Sequence, residues 1–315
     1  MMKRISQNDL QKMYEVPSPD MEERIHQVIA SLPVQVQEGK TVKRKWLMSA
    51  VLALVLILAV GAIGLAGSGI IGGRLVDFDG SITESEGITD VEMQQLEAES
   101  LEQEKVIATV PEGDFYTISN DEMRIGLAAE RTFRTREEFD KAMAGVDYLT
   151  VPPRVPEGFE LRKAKVFLKC RSGSEYSLTE ERNEGKYTLK RYAVDETDRF
   201  ISGYFLEYGD PADRSRRVTI SSGLSGSWPI SIEISEGETA EIISVSGMDK
   251  AMLVHSEEQD GWSLEMLREL DNPFDCVELP DDESNMELQY TKEFCGLTGW
   301  SVSADILLDM MQMGE

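Results

Sequence analysis

Histidine is almost missing from this chain: His26 and His255 are the two among 315 residues. A Ser–His nucleophile pair in the long C-terminal part would rest on His255. The nearest serine motif, Gly223-Leu224-Ser225-Gly226-Ser227, lacks the last glycine of a G-x-S-x-G elbow. Cysteine is scarce as well. Cys170, Cys276 and Cys295 are the three, and none stands at C-x-x-C spacing, which removes the usual zinc and dithiol motifs. Two readings of them stay open. Cys276 and Cys295 bridge and leave Cys170 free, or all three are buried thiols in a domain large enough to fold without a staple. H-E-x-x-H and Walker A patterns are absent too. Acids are so numerous that spacing selects no carboxylate pair for hydrolysis. The residues therefore nominate no catalytic group, no cofactor site and no metal site, and the chain reads as a non-enzyme.

Basic residues are in short supply, 32 Lys/Arg against 58 Asp/Glu for a net charge of −26, and their distribution is uneven. Residues 1–45 hold eight Lys/Arg and six Asp/Glu. No charge falls between Lys45 and Arg74, so the remaining 24 basic and 52 acidic residues, a net of −28, lie beyond that gap. Phosphate binding needs clustered Lys/Arg, so nucleic acid is excluded as a partner of the acidic part. The bland meaning of such a charge is solubility beside a like-charged surface.

What the sequence does have is the gap itself. Residues 46–73, WLMSAVLALVLILAVGAIGLAGSGIIGG, exceed the roughly 20 apolar residues that cross a hydrocarbon core. A cleaved signal would carry a shorter apolar region nearer the N-terminus, and a buried soluble helix would keep a polar face. The expectation is one transmembrane helix in a lipid bilayer. Lys40, Lys43, Arg44 and Lys45 crowd one edge, whereas Arg74 is soon followed by Asp77 and Asp79. The positive-inside rule puts residues 1–45 in the cytoplasm and the C-terminal bulk outside the cell membrane, with Trp46, Lys43, Arg44 and Lys45 as the interfacial anchor. Ala62/Ala66 and Gly64/Ser68 are small-x-x-x-small pairs that permit close helix approach, and with it a homodimer through the span.

Residues 1–45 read as a cytoplasmic juxtamembrane segment of short helices. In the second of these, Ile25, Val28, Ile29 and Leu32 form one apolar stripe that Pro33 ends. That stripe either lies on lipid or docks into a groove of a cytoplasmic protein, and these four are the candidate partner-binding residues. Residues 74–113 read as an acidic stalk, in which Thr89 caps at most a marginal, solvated helix. The fragment 77–82 with Glu86 overlaps part of an EF-hand loop, but calcium needs about six to eight oxygens and this fragment does not supply them.

Residues 114–315 read as an exported α+β domain with a mainly antiparallel sheet flanked by helices. Ser119-x-x-Glu122 and Thr135-x-x-Glu138 are capping-box signatures that predict helices over about 120–130 and 136–144. Prolines 152, 153 and 156 force an extended crossing into the sheet. Strands are predicted at 159–168, 186–193, 202–208, 215–221, 240–247, 250–255, 286–291 and 296–300, with alternation also in 230–234. The polar stretches 171–185 and 257–284 read as surface loops. Ser303 is expected to cap a last amphipathic helix through Ile306, Leu307, Met310 and Met311 that packs on the sheet. Trp228, Trp262 and Trp300 offer a carbohydrate-stacking surface, with packing in the core or at a sheet edge as the competing reading.

Over 130–313 the order of motifs resembles a family. A helix is followed by Pro153, Pro156, Gly158 and Phe159 in a P-x-x-P-x-G-[YF] pattern. A strand pair near Val245-Ser246-Gly247 comes later, then Gly299-Trp300-Ser301-Val302-Ser303 leading into the last helix. This is similar to the exported domain of a Gram-positive family called domain of unknown function 4367. The resemblance implies a bacterial envelope regulator of anti-sigma-like architecture, with a short cytoplasmic segment, one span and this domain outside. It implies no catalytic residues. Zinc-bound anti-sigma domains carry His and Cys ligands, whereas residues 1–45 contain one His and no Cys. The alternative from a different class is an anchored binding or scaffold module for cell-wall polymer or another exported protein.

Overall fold

The computed structural model describes residues 74–78, 82–84, 90–120, 124–226, 231–234, 237–257, 260–279 and 286–312. The apolar run 46–73 and residues 1–45 lie outside the described residues. Among the described residues no helix is long and apolar enough to cross a membrane.

The chain enters the described part as β1 (Arg74–Asp77) and β2 (Ile82–Glu84), then forms α1 (Asp90–Ile107). After β3 (Phe115–Ser119) and β4 (Arg124–Phe133) comes α2 (Arg136–Met143). Five strands follow: β5 (Glu160–Cys170), β6 (Tyr176–Glu184), β7 (Tyr187–Val194), β8 (Arg199–Gly209) and β9 (Arg217–Ser225). The chain then runs through β10 (Ser231–Ile234), β11 (Glu238–Ile243) and β12 (Lys250–Ser256). It ends with β13 (Gly261–Leu279), β14 (Met286–Trp300) and α3 (Ala304–Met311).

Eleven strands join one sheet in the order β11-β12-β13-β14-β9-β8-β5-β4-β3-β7-β6, and β10-β1-β2 form a second. Every ladder is antiparallel. Among the described residues the expected architecture, a mainly antiparallel sheet with flanking helices, is therefore present, with the sheet larger than the sequence implied.

The core follows from alternation. Val166, Tyr204, Leu206, Val218, Ile220, Leu264, Met266 and Leu297 point to one face, and α2 and α3 cover it with Phe139, Met143, Leu307, Met310 and Met311. The start of α2 is fixed by a reciprocal cap. Thr135 Oγ1 accepts from the Glu138 amide at 3.2 Å, and the Glu138 carboxylate accepts from the Thr135 amide at 3.3 Å. That orientation drives Phe139 edge-on against Tyr204, with ring centroids 5.4 Å apart.

Several expectations fail for identifiable reasons. The helix expected over 120–130 is overturned at 124–130: Ser119 ends β3, and 124–133 form β4, which pairs with β3 in its first half and β5 in its second. Ladder bonding on both edges overrides the helix propensity of Ala128, Ala129 and Glu130. The stretches 171–185 and 257–284 are not plain loops, because they contain β6 and the 19-residue β13. The two strands expected at 286–291 and 296–300 are one. Ser303 occupies the N-cap of α3 without a side-chain cap bond. Residues 74–113 are more than a solvated stalk. β1 pairs with β10, Phe78 is buried with Ile234, and Val106 of α1 packs with Tyr116, Ile118, Tyr187 and Leu189.

Candidate functional site

The residues nominated for a cytoplasmic partner, Ile25, Val28, Ile29 and Leu32, lie outside the described residues, as do Lys43, Arg44, Lys45, Trp46 and Trp228. The other two tryptophans do not make one platform. Trp262 is paired with Gly299 and Trp300 with Gly261, so strand alternation sends their rings to opposite faces. Trp262 packs against the main core and stacks on His255 with centroids 4.2 Å apart. This histidine is an aromatic neighbour in a part-buried position. All three cysteines are buried and none is in a disulfide. Cys276 faces Leu288, while Cys295 faces Met266 and Ser222, so their register positions are far from bridging. Burial pushes the thiols of Cys170 and Cys295 up, and Glu293 adds to the shift at Cys295, which makes both poor nucleophiles.

The most polar feature inside the core is Glu293, fully buried on β14. Each of its oxygens takes two donors. Oε1 accepts from the Thr150 amide and from Ser222 Oγ at 2.8 Å. Oε2 accepts from Thr150 Oγ1 at 2.8 Å and pairs with Arg268 Nη2 at 2.7 Å. Tyr204 donates its hydroxyl to the Thr150 carbonyl. All lone-pair sites of the carboxylate are occupied, so it has no capacity left for a substrate proton. Its effect is mechanical: it pins residue 150 to the sheet just before the proline-rich crossing. Arg136 continues the fastening by donating to Pro152 O at 3.3 Å and to Tyr208 at 2.7 Å, and Arg154 pairs with Asp309 of α3 at 2.5 Å. No sequence signal separates Glu293 from the other acids.

The opposite face of β5, β8, β9 and β14 carries an arrangement the sequence also hid. The Arg217 guanidinium lies 3.9 Å from the Trp300 ring centroid, and Lys163 Nζ stands 5.5 Å over Phe205. Arg162 lies across Gly209, where a Cβ would fall 1.9 Å from its Cζ, and donates to Asp210 O at 3.1 Å. Burial lowers the Arg217 pKa and Arg162 lowers it further, while Glu207 opposes them. Lys165 is neutralised by Glu130 at 2.6 Å. Arg162, Lys163 and Arg217 make no ion pair with the described residues. In a domain with twice as many acids as bases, three such cations gather on one sheet face, two of them over aromatic rings, with Glu207 directly opposite Lys163 and Glu160 opposite Gly209. Such a surface can hold an anionic group beside a flat apolar one. Register alone assembles it, since its members come from strands far apart in sequence.

Among the described residues no group of three or more His, Cys, Asp or Glu is placed to hold a metal ion. Comparison with protein-family models, curated proteins and solved structures finds no match to the chain.

Proposed function

We propose that the chain is a single-pass membrane protein, N-terminus cytoplasmic and β domain outside, that acts as a non-enzymatic regulator. In this reading the outer domain senses an envelope signal or partner, and residues 1–45 engage a cytoplasmic protein through Ile25, Val28, Ile29 and Leu32. It carries forward the resemblance to domain of unknown function 4367 and its anti-sigma-like architecture. The flanking charges around 46–73 support the topology. One observation carries the regulatory part. Arg74, the first residue after the apolar run, is already paired with Ile234, and the three residues after it continue the ladder. Strand pairing that begins at Arg74 leaves no free linker between that residue and the domain, whereas a passive tether would have one. Replacing residues 1–45 with an unrelated leader that keeps Lys43, Arg44 and Lys45 is the test. A regulator loses control of a discrete set of transcripts, as in a deletion strain. Unchanged transcripts would sink this reading.

The cation–aromatic face favours a second reading, an anchored binding module for an anionic cell-wall polymer or exported protein. Arg217→Ala with Lys163→Ala then abolishes retention of the detergent-solubilised chain on isolated wall material. Equal retention of the variant would remove this alternative.

A further inference from the structure

The β10-β1-β2 sheet sits on the large sheet through a small apolar interface. Val76, Phe78, Ile232 and Ile234 pack with Met252, Val254, Leu267 and Phe294. Register puts a carboxylate into that floor. Glu265 lies directly opposite Met252 on β12 and Gly296 on β14, two residues from Leu267 on its own strand, with Val254 and Phe294 on the diagonals. A Cβ on Gly296 would fall 2.6 Å from Glu265 Oε2, so the carboxyl lies against bare backbone. Its hydrogen-bond partner is the Ser263 side chain. Charged groups surround this floor: Lys250 holds a further diagonal of Glu265, and on the small sheet register sets Arg74 opposite Glu84 and Glu233 opposite Leu75. Lys250 is exposed at the start of β12, Lys292 pairs with Glu269 at 3.6 Å, and Asp77 and Glu238 each have a partner of their own. β9 faces Glu265 with Ser221 and Gly223, which are uncharged. Behind the strand, the Cys295 thiol is pushed up in part by Glu265.

We propose that Glu265 is a pH-sensitive latch for the sheet that contains the first strand after the apolar run. Protonated, it lets the β10-β1-β2 sheet seat on its floor; ionised, it draws water into the interface and releases that sheet. Desolvation of this part-buried carboxyl supplies the set-point, raising it to about 7 in the seated state against the ordinary 4.5 when hydrated. The sign follows from which state holds the proton. Seating is fully favoured below about pH 4.5, weakens roughly tenfold per unit up to about 7, and levels off above it. The latch rests on the regulatory reading only for where the signal goes, from external pH to the strand beside the span.

Hydrogen exchange of the full chain in lipid nanodiscs tests it, read at the amides of β1 and β10 after correction for intrinsic rates. The expected protection falls about tenfold per unit from pH 5 to 7 and is flat from 7 to 8. Glu265→Gln abolishes the slope and stays near the pH 5 level. Ser263→Ala removes the bond that favours the charged form, so its transition moves to higher pH. A flat wild-type profile, an unaltered slope in Glu265→Gln, or an unmoved upper transition in Ser263→Ala overturns the latch. Loss of the latch with intact transcript control would leave the regulator standing; the opposite pair of results would sink the regulator and keep the latch.

Discussion

The body of the large sheet and its β3-β7-β6 wing use the same pairs of charged residues to different ends. In the body, Glu293 has no exposure and Arg268 is its ion-pair partner, with every carboxylate lone pair engaged. In the wing, Arg191 joins Asp114 and Glu180, Arg182 reaches Glu180 and Glu184 at 3.3 Å each, and Lys186 reaches Glu102 at 3.3 Å. Those wing side chains remain between 25% and 55% exposed. The wing has more ion pairs and less stability from them, because water screens each one and each orders two long side chains. One buried pair that anchors a crossing segment outweighs a network at the surface, since losing one partner strands the other away from water.

The largest expected effect tests the body. Glu293→Ala leaves Arg268 part-buried without its carboxylate and frees residue 150, at a cost of roughly 3–5 kcal/mol. Urea unfolding that moved by less than about 1 kcal/mol would erase the contrast. The apolar contributions should not differ in this way. Leu206→Ala in the body and Ile118→Ala in the wing both remove fully buried side chains, and each costs roughly 2–5 kcal/mol by the lost transfer and cavity terms. A much smaller loss for Ile118 would mean that the wing is loosely packed as well as weakly paired. The smallest effect belongs to Arg191→Ala, about 1 kcal/mol or less. It should shrink further in 1 M salt, where the Debye length is about 3 Å, while the Glu293 effect persists. Equal salt sensitivity of the two variants would contradict the comparison.

Legibility in the sequence tracks how local each cause is. The helix of residues 136–143 was readable because Thr135 and Glu138 form its cap within one turn. The identical pattern at Ser119 and Glu122 misled, because the strands that claim its neighbours come from β5 and β7. A strand buried on one face, such as β5, announces itself by alternation. β6 does not, since it is an edge strand whose polar side chains meet solvent on both sides. β13 was hidden by Asp271, Asn272 and Pro273. The ladder accommodates them with a register shift between Glu269 and Phe274, where a proline needs no amide partner. The buried carboxylate, the cation–aromatic face and the Glu265 floor were all illegible for one reason: each is made by cross-strand register, which a single sequence does not display.

The pairing of Arg74 with Ile234 also sets an order of events during synthesis. A ribosome delivers β1 long before β10 and the β12–β13 floor exist, so the first strand must wait with only β2 beside it. The large sheet can close around its own hairpins in the meantime, because β5 through β9 find most of their partners nearby. Docking of β1 is then the late, long-range step, and long-range pairings are the slow ones. Until it happens, a strand edge and the apolar floor beneath it stay open to wrong partners. The segment next to the apolar run is thus the last to mature, and a chain stalled before residue 234 would present that edge to whatever lies near it.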